Sequence, residues 1–293
     1  MTHLNLEASA LLVRHITLLK ALEISHGVLD LACGSGRNGR YLLSRGLPVV
    51  FADIDGEKLA SLSAAEVSDP AMVTLWEVDF DDMISRSIPG YRTIISMIGV
   101  MANRHCQERS AIYDLGCSLG AASFAMAEQV SCKDYRIHAI DNSPAMISRL
   151  QDRLRSSGTP QIVAQCADIA EVEIINASVV VLNFTLQFVA KASRDALIKQ
   201  VYEGLRPGGV LIISEKIEFP DPNLNDLFTE LYYNFKEQMG YSKMEIAQKR
   251  TALENVLVPE TLDGHRQRLS AAGFSALDVW FQCFNFASLV AVK

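Results

Sequence analysis

Residues 112–143 read IYDLGCSLGAASFAMAEQVSCKDYRIHAIDNS, and this stretch decides the fold. It begins with a short apolar segment that predicts a β-strand, and it continues through a turn of small residues into a segment typical of a helix. A second apolar segment follows and ends at Asp141. Small residues between a strand and a helix let a ligand approach the backbone closely, and an acid at the end of the next strand can accept both hydroxyls of a ribose. The pattern therefore predicts nucleoside binding.

A shorter version of the same pattern lies nearer the N-terminus, at residues 28–56, which read VLDLACGSGRNGRYLLSRGLPVVFADIDG. Asp30 corresponds to Asp114 and Asp53 corresponds to Asp141, so the chain contains an internal near-repeat. The second copy carries the spacing D-x-G-x-x-x-G, which differs from the G-x-G-x-x-G of dinucleotide-binding turns. This spacing resembles the first motif of the S-adenosylmethionine-dependent methyltransferase superfamily.

Strands and helices continue to alternate after the second copy. The predicted segments are a helix at 143–157, strands at 161–168 and 177–184, a helix at 192–205, a turn at 206–209, a strand at 210–214, a polar helical insertion at 223–256, a helix at 260–272, and strands at 276–282 and 284–293. The short connection between the last two strands predicts an antiparallel pair. The whole pattern predicts an α/β protein with a doubly wound, Rossmann-like methyltransferase sheet whose last strand is antiparallel.

The first copy contains only half of such a sheet. It predicts a strand, a helix, a second strand, a short helix at 57–66 and a third strand that ends near Asp79. We therefore expect residues 1–80 to form a partial, methyltransferase-like βαβαβ module and residues 81–293 to form a complete domain. Half a sheet leaves an open edge, so the module is expected to lie against the complete domain or against a second copy of the chain. Residues 11–22 predict an amphipathic helix and not a signal peptide.

The composition limits the class of protein. Of the 293 residues, 49% are hydrophobic and 21% are charged, which is enough for a buried core and excludes general disorder. The net charge of −7 comes without a basic block, which argues against binding along a nucleic acid backbone. No apolar segment reaches the roughly 18–20 residues that span a membrane. The six cysteines lack a CxxC pair and the six histidines lack ligand spacing, so we expect a cytoplasmic protein with reduced thiols and no metal site.

Long and distinctive strings connect residues 81–293 to one family of this superfamily. These strings are RSIPGYRTIISMIG, YDLGCSLGAA, AIDNSPAMI, ASVVVLNFTLQF, GLRPGGVLIISEK, AQKRTALENV and WFQCFNFASLVA. On their basis, residues 81–293 are similar to the carboxy-S-adenosyl-L-methionine synthase family. Residues 1–80 lie outside this resemblance. They resemble a truncated N-terminal half of an S-adenosylmethionine-dependent methyltransferase, because LDLACGSGRNGRYLLSRG is typical of such proteins.

The resemblance implies an activity, its substrates and an assembly. Members of the family are transferases that use S-adenosyl-L-methionine and prephenate and form carboxy-S-adenosyl-L-methionine and phenylpyruvate. The product serves the modification of the tRNA wobble uridine to 5-oxyacetyl uridine. The resemblance also implies a cytoplasmic homodimer without a metal, a membrane partner or direct contact with nucleic acid. In the implied reaction the sulfonium acidifies its methyl group, the methyl carbon captures carbon dioxide, and the hydroxyl lost from prephenate takes the proton.

The resemblance further implies the residues of the site. The cofactor-binding residues would be Tyr91, Gly116, Cys117, Ser118, Asp141, Asn142, Asp168, Ile169, Asn183 and Arg250. Tyr91 and Arg250 are the candidates for the catalytic centre, since the family's arginine pairs with the transferred carboxylate. A guanidinium holds a carboxylate through two hydrogen bonds, which a lysine does less well. Asp141 suits a ribose diol, while Asp168 and the backbone of Ile169 suit the edge of adenine.

Each of these residues also has a structural interpretation. Tyr91 could pack the start of a helix, and Arg250 could form a surface ion pair with an acidic neighbour such as Glu245. Asn183 could satisfy backbone groups at the end of a strand, and Asp168 could cap a turn. For Tyr91 and Arg250 the structural interpretation would be preferred without the resemblance. With it, the binding roles are favoured.

The first copy has suitable residue types for the same ligand in Asp30, Gly34, Gly36 and Asp53, but Ala32 stands where the first glycine should be. It also lacks the fourth strand and all that follows, which a pocket needs to enclose a ligand. We therefore predict a structural use of this copy. Similarly, the counterpart of Cys117 in the first copy is a cysteine, which favours a small buried side chain over a catalytic thiol.

Two other functions remain open at this point. The first is a conventional S-adenosylmethionine-dependent methyltransferase in which Arg250 recognises a small acidic substrate. The second is an inactive fusion in which residues 1–80 block the pocket or the dimer surface. A requirement for prephenate would distinguish the synthase from the methyltransferase, and failure to bind S-adenosyl-L-methionine would favour the inactive fusion.

Overall fold

The structure is a computed structural model, and it describes residues 28–31, 37–53, 73–77, 80–253 and 256–293. The chain divides into two compact units, Met1–Met83 and Ile84–Lys293. The helices predicted at 11–22 and 57–66 lie outside the described residues, as do Gly34 and Gly36 of the first turn.

The first unit contains a three-stranded parallel sheet in the order β1-β2-β3. Its described elements are β1 (Val28–Leu31), α1 (Arg37–Ser44), β2 (Val49–Asp53) and β3 (Val73–Glu77). Gly39 of α1 faces the buried ring of Phe51 so closely that an added Cβ atom would lie 2.2 Å from a ring carbon. Only glycine therefore lets this helix pack on the strand at that distance. The half sheet predicted from the first copy is present.

The elements from residue 80 onward form a larger sheet with helices on both faces. The helices are α2 (Phe80–Ser87), α3 (Tyr91–His105), α4 (Ala121–Gln129), α5 (Pro144–Ser157), α6 (Lys191–Gly204), α7 (Pro222–Gln238), α8 (Lys243–Leu253) and α9 (Leu262–Ala272), with a short 3-10 helix at Leu186–Phe188. The strands are β4 (Ala111–Leu115), β5 (Arg136–Asp141), β6 (Ile162–Cys166), β7 (Ala177–Asn183), β8 (Leu205–Lys216), β9 (Ala276–Cys283) and β10 (Phe286–Val292).

The seven strands of this sheet follow the order β6-β5-β4-β7-β8-β10-β9. Strand β10 runs antiparallel to β8 and β9, and the other neighbouring pairs are parallel. The predicted fold class, a doubly wound α/β sheet with an antiparallel last strand, is confirmed. The chain moves from β4 outward to β5 and β6 and then returns to β7 on the other side of β4. The carboxyl ends of β4 and β7 thus flank the point where the strand order reverses, which is where open α/β sheets bind ligands.

The two copies of the repeat have the same strand register. In the first unit Asp30 lies opposite Phe51, two residues before the end of β2. In the second unit Asp114 lies opposite Ala139, again two residues before the end of β5. Each aspartate also accepts a hydrogen bond from a residue nine positions later, Asp30 from the backbone N of Gly39 at 2.9 Å and Asp114 from Oγ of Ser123 at 2.6 Å. The near-repeat in the sequence is therefore a repeat in structure.

Local signals explain most element boundaries. Helix α5 begins after Ser143, whose Oγ accepts a hydrogen bond from the backbone N of Met146, and Pro144 occupies its first turn. The helix ends before Gly158, which adopts a left-handed conformation with φ of 64°. Both boundaries agree with the predicted helix at 143–157.

One predicted segment differs from the structure, and a second, helical as predicted, divides into two helices. The expected turn at 206–209 lies within β8, because the strand already begins at Leu205, which pairs with Ala177 before the register shifts. The shift absorbs the irregular backbone of the Pro-Gly-Gly segment, as bulges do. The expected polar insertion at 223–256 consists of two helices, α7 and α8, which are separated at Gly240 with φ of 90°.

Candidate functional site

The turn after β4 is held tightly against the neighbouring strand ends. The backbone N atoms of Gly116 and Cys117 both donate to the carbonyl oxygen of Ile140, at 2.8 and 2.9 Å. Gly116 has φ of 80°, and an added Cβ atom would lie 2.4 Å from the side chain of Thr185. Ser118 follows with φ of 50°, a conformation that residues with a side chain seldom adopt. The turn thus places two residues with positive φ, Gly116 and Ser118, at the carboxyl edge of the sheet.

Asp141 joins this turn to the next two elements. Its Oδ2 accepts a hydrogen bond from the backbone N of Ser118 at 2.9 Å, and its Oδ1 accepts one from the backbone N of Ser143 at 2.9 Å. Its carbonyl oxygen accepts from the backbone N of Ala167 at 3.1 Å. A carboxylate has about four lone-pair sites, so each oxygen can accept a further hydroxyl. The geometry therefore suits a ribose diol, and the neighbouring Asn142 is exposed beside it.

Asp168 and Ile169 follow β6 at the same edge. Asp168 is exposed, and its Oδ1 accepts a hydrogen bond from the backbone N of Ala170 at 2.9 Å. Its carbonyl oxygen accepts from the backbone N of Glu171 at 3.0 Å, so Asp168 does cap a turn. The side chain of Ile169 is buried. These hydrogen bonds fix the loop after β6. Asp168 remains exposed at the carboxyl edge of the sheet, where a ligand could contact it.

Asn183 ends β7 on the other side of β4. Its Oδ1 is buried, and among the described residues no hydrogen-bond donor satisfies it. A buried acceptor without a partner is uncommon in folded proteins. A bound molecule with an N–H or O–H group at this point would supply the missing donor, which is the clearest sign in this region that a ligand belongs here.

Aromatic side chains form a wall next to Asn183. Tyr91 is buried at the start of α3, and its ring centre lies 6.3 Å from that of Phe184, which has φ of 60°. Phe184 in turn packs edge to face on Phe286, with ring centres 6.1 Å apart. Tyr91 therefore both packs a helix start and contributes to a wall that borders the candidate site.

Arg250 lies apart from these contacts. It is exposed on α8, and it takes part in none of the ion pairs found among the described residues. The surface pair with Glu245 is not formed, and Glu245 instead accepts hydrogen bonds from the backbone N and Oγ of Ser242 at 2.7 and 2.8 Å. The structure thus brings the strand-end residues together and leaves Arg250 in solvent.

Two buried acids lie near the strand ends: Glu215, which was not predicted from the sequence, and Asp114, which was predicted only as part of the repeated motif. Burial raises the pKa of Glu215 to about 8, although its two oxygens accept hydrogen bonds from the backbone N atoms of Leu186 and Gln187 at 2.8 and 2.9 Å. Burial raises the pKa of Asp114 to about 6, while the hydrogen bond from Ser123 lowers it. Glu215 fixes the segment that follows Asn183, and its place in an otherwise apolar strand was the available signal.

Cys117 is buried, and this burial raises the pKa of its thiol. The thiolate needed for nucleophilic catalysis is therefore disfavoured. In the part of the chain that the structure describes, no group of three or more His, Cys, Asp or Glu side chains could hold a metal ion. Over the same residues, none of the helices combines the length and apolar character needed to cross a membrane.

In the first copy, Asp30 is used within its own unit through its bond to Gly39. Asp53 ends β2, at the position that Asp141 has in the second copy. Gly34 and Gly36, the other two candidates there, belong to the turn outside the described residues.

Comparison with known proteins identifies the family of this chain. The family model described as a methyltransferase domain matches residues 112–209. A relative from Geobacter metallireducens, named carboxy-S-adenosyl-L-methionine synthase, is 56% identical over 216 residues, which are 73% of this chain and 88% of the relative. A relative of the same name from Aliivibrio fischeri is 51% identical over 216 residues, 73% of this chain and 89% of the relative.

A solved structure extends the comparison at the level of the fold. It is described as a possible exported protein from Bordetella parapertussis, and it aligns with a TM-score of 0.53 and 14% sequence identity over 82% of this chain and 79% of its own. At this identity the likeness concerns the chain path alone.

Proposed function

Because this chain belongs to the carboxy-S-adenosyl-L-methionine synthase family, we propose that it is a transferase that converts S-adenosyl-L-methionine and prephenate into carboxy-S-adenosyl-L-methionine and phenylpyruvate. The observation that carries this proposal is the extent of the match, 56% identity over 88% of a relative of that name. The product serves the modification of the tRNA wobble uridine, and the enzyme acts as a cytoplasmic homodimer on small molecules without binding the tRNA itself.

The strand-end residues bind S-adenosyl-L-methionine in this proposal. Asp141 accepts the ribose hydroxyls through lone pairs that its bonds to backbone N atoms leave available. Asp168 and Ile169 receive the adenine edge, and the turn of Gly116, Cys117 and Ser118 lies along the methionine part of the molecule. Support comes from the position of these residues at the reversal of the strand order.

Asn183 and the aromatic wall border the reacting centre in this proposal. The unsatisfied Oδ1 of Asn183 accepts a hydrogen bond from the ligand, which orients the sulfonium end against the rings of Tyr91 and Phe184. The apolar wall keeps water away from the methyl carbon, and exclusion of water matters because a carbanion-like carbon is otherwise protonated. Holding the two reactants in contact supplies the rest of the rate increase.

The reaction balances with the two substrates alone. Prephenate, a dianion, loses its ring carboxyl group as carbon dioxide and its ring hydroxyl as hydroxide, and it becomes the aromatic monoanion phenylpyruvate. The hydroxide takes a proton from the S-methyl group and leaves as water. The methyl carbon then forms its new bond to carbon dioxide. Arg250 pairs with the carboxylate that results, which requires α8 to bring this exposed side chain to the site.

Residues 1–80 serve a structural purpose in this proposal. The carboxylate of Asp30 is engaged by the backbone of Gly39, and the described residues of this unit supply three parallel strands, without the further strands that would complete a second site. The boundary at residues 80–81 expected from the sequence lies close to the division of the chain into units at Met83 and Ile84.

Mass spectrometry of the reaction products tests the proposal. Purified full-length protein is given S-adenosyl-L-methionine with and without prephenate, and the same reactions are run with Arg250→Ala and with Arg155→Ala, which removes an exposed arginine of α5. The expected result is a carboxylated product that requires prephenate, is retained by Arg155→Ala and is lost in Arg250→Ala. Formation of S-adenosylhomocysteine would indicate a conventional methyltransferase instead, and absence of both products would contradict the proposed activity.

A further inference from the structure

A group of three lysines surrounds two buried tyrosines beyond the aromatic wall. Nζ of Lys236 lies 4.6 Å from the ring centre of Tyr232 and 6.0 Å from that of Tyr241. Nζ of Lys216 lies 5.5 Å from the ring centre of Tyr232, and Nζ of Lys249 lies 4.3 Å from that of Tyr241. These five residues, here called the lysine cluster, come from β8, α7, α8 and the segment between the two helices.

Hydroxyl groups are the polar neighbours of this cluster. Nζ of Lys249 donates to Oη of Tyr241 at 2.8 Å and to Oγ of Ser87 at 3.3 Å. Ser87 and Tyr241 also hydrogen-bond to each other, with 2.9 Å between their oxygens, and the guanidinium of Arg86 stacks on the Tyr241 ring at 5.0 Å. The cluster is therefore ordered and positively charged.

The three ammonium groups have no carboxylate partner among the residues that the structure describes. Within the described residues, no carboxylate forms an ion pair with Lys216, Lys236 or Lys249. Only 5% of Lys236 is exposed. Burial, with the charges of Lys249 and Lys216, lowers the pKa of Lys236 to about 8, and burial also lowers the pKa of Lys216. Cation–π contacts offset part of this cost, but buried like charges stay unfavourable until an anion joins them.

Ring contacts connect the lysine cluster to the candidate site. Tyr232 packs edge to face on Phe286 with ring centres 5.0 Å apart, and Phe286 packs on Phe184, which lies against Tyr91. In the sheet, Phe286 lies directly opposite Lys216. The cluster is therefore at the far side of the same aromatic wall that borders Asn183.

The strand order of the sheet indicates which ligand group the lysine cluster can bind. Lys216 ends β8, which lies on the opposite side of β7 from β4 and β5. Asp141, the candidate for the ribose, ends β5. Lys216 thus lies on the side of β7 that is away from Asp141, which leaves the cluster placed for a second substrate and not for the nucleoside. The neighbouring Glu215 points to the other face of the strand, toward Leu186, so it does not neutralise the lysines.

We propose that the lysine cluster binds the side-chain carboxylate of the carboxyl donor, the one that phenylpyruvate retains, while Arg250 serves the carboxylate that is transferred. This inference rests on the proposed function, because it takes prephenate as the donor. A dianion whose two carboxylates have different fates needs two separate cationic sites. Three lysines around the two buried tyrosines and the exposed Arg250, which lies on the same helix α8 as Lys249, provide that division. They fix which end of the donor faces the methyl carbon.

The methionine carboxylate of S-adenosyl-L-methionine is the other carboxylate that could reach these lysines, and the experiment separates the two sources. Initial rates of carboxylated product are measured against prephenate concentration at saturating S-adenosyl-L-methionine for the wild type, Lys236→Met and Lys249→Met. Lys199→Met is the matched control, since Lys199 is exposed on α6 and 3.9 Å from an exposed glutamate. Calorimetric titrations with S-adenosyl-L-methionine and with phenylpyruvate accompany the rates for every variant.

The expected result is a rise of about tenfold or more in KM for prephenate and in Kd for phenylpyruvate in both cluster variants, since each loses a charge-assisted hydrogen bond. The Kd for S-adenosyl-L-methionine should stay within about twofold, because the contacts of the nucleoside are elsewhere. The thermal midpoint of ligand-free Lys236→Met should equal or exceed that of the wild type, because an unpaired buried charge is removed. A purely structural lysine would lower it.

Three results would overturn the inference. The first is a KM for prephenate in Lys236→Met that stays within twofold of the wild-type value. The second is a tenfold loss of affinity for S-adenosyl-L-methionine in the cluster variants, which would assign the lysines to the methionine carboxylate. The third is a wild-type protein that does not bind phenylpyruvate.

The phenylpyruvate titration also separates this inference from the proposed function. If the wild type makes no carboxylated product, the proposed function fails. The inference of a carboxylate site is then still supported if the wild type binds phenylpyruvate and Lys236→Met does not.

Discussion

Replacing Glu260 with glutamine tests whether a buried ion network holds the chain in place after α8. Glu260 accepts two hydrogen bonds from Arg268, at 2.8 and 2.9 Å, and one from Arg194, which is only 1% exposed. Arg194 also donates to the carbonyl oxygens of Gln187 and Val258, at 3.1 and 2.9 Å. The network therefore ties the return from the α7–α8 insertion to the segment that follows β7.

Two arguments give the size of the effect. Burial alone would raise the pKa of Glu260, but hydrogen bonds from Arg268 and Arg194 lower it to about 2. The pKa of a glutamate in the unfolded chain is about 4.3, so the difference in pKa corresponds to about 3 kcal/mol of unfolding free energy. Solvent screens the partly exposed carboxylate and reduces this contribution to about 2 kcal/mol. Breaking a buried pair costs roughly 3–5 kcal/mol, and the carbonyls that Arg194 keeps place this case at the lower end. We expect Glu260→Gln to lose about 2–3 kcal/mol of unfolding free energy at pH 7.

The assay is urea unfolding followed by the fluorescence of Trp280 in a Trp76→Phe background, so that the signal reports the second unit. Asp195→Asn is the control, because Asp195 also bonds to Arg268 at 2.7 Å but is 81% exposed. It should change stability by less than about 0.5 kcal/mol. The contribution of Glu260 is present above its unfolded pKa and is lost as the pH falls toward 2, so the difference between Glu260→Gln and the wild type should shrink at pH 3. Equal costs for the two variants would refute the reasoning.

Three further predictions concern the site. Gly116→Ala should lower the unfolding free energy, measured with urea, by at least about 1–2 kcal/mol more than Gly158→Ala. Both glycines have positive φ, but only at Gly116 would the added Cβ atom clash, at 2.4 Å from the side chain of Thr185. Equal losses in the two variants would contradict the steric argument. Asp141→Asn should raise the calorimetric Kd for S-adenosyl-L-methionine by about tenfold or more, because an amide has one acceptor oxygen for the two backbone N–H groups that Asp141 now holds, whereas Asp152→Asn on the exposed face of α5 should leave it unchanged. Finally, the Kd for phenylpyruvate should rise about tenfold between pH 7 and pH 9, because the pKa of Lys236 is lowered to about 8 and the side chain loses its charge over this range. The groups that face Lys236 are Lys216, Lys249, Tyr232 and Tyr241. Lys236→Arg should remove this pH dependence, and a rise of the same size in that variant would contradict the explanation.

Local signals made the sheet and the nucleoside side of the site predictable. Six of the eight residues in the run 177–184 are apolar because both faces of β7 are covered. Ala177, Val179, Val180, Val181 and Leu182 are fully buried in the structure. The carboxyl ends of parallel strands meet at one edge, so Asp141 and Asn183 could be brought together from their positions alone. The roles of these residues toward a ligand stay predictions.

The lysine cluster could not be found in the same way. Its lysines are 20 and 13 positions apart in the sequence and come from a strand and two helices, so no spacing links them. They meet only because α7 and α8 fold back over the end of β8, which depends on long-range packing. The same holds for Glu215, whose partners Leu186 and Gln187 become neighbours only through the pairing of β7 with β8.

The close contact of Gly39 with Phe51 shows how the two repeats have distributed volume differently across the same backbone plan. At the matching positions the second repeat has Ser123 and Ala139, a larger residue on the helix and a smaller one on the strand. Helix and strand are therefore matched in pairs within each repeat. Transferring Ser123 alone into position 39 would drive it into the Phe51 ring, and transferring Ala139 alone into position 51 would leave a void beside Gly39. Each repeat can exchange residues with the other only by exchanging both partners at once.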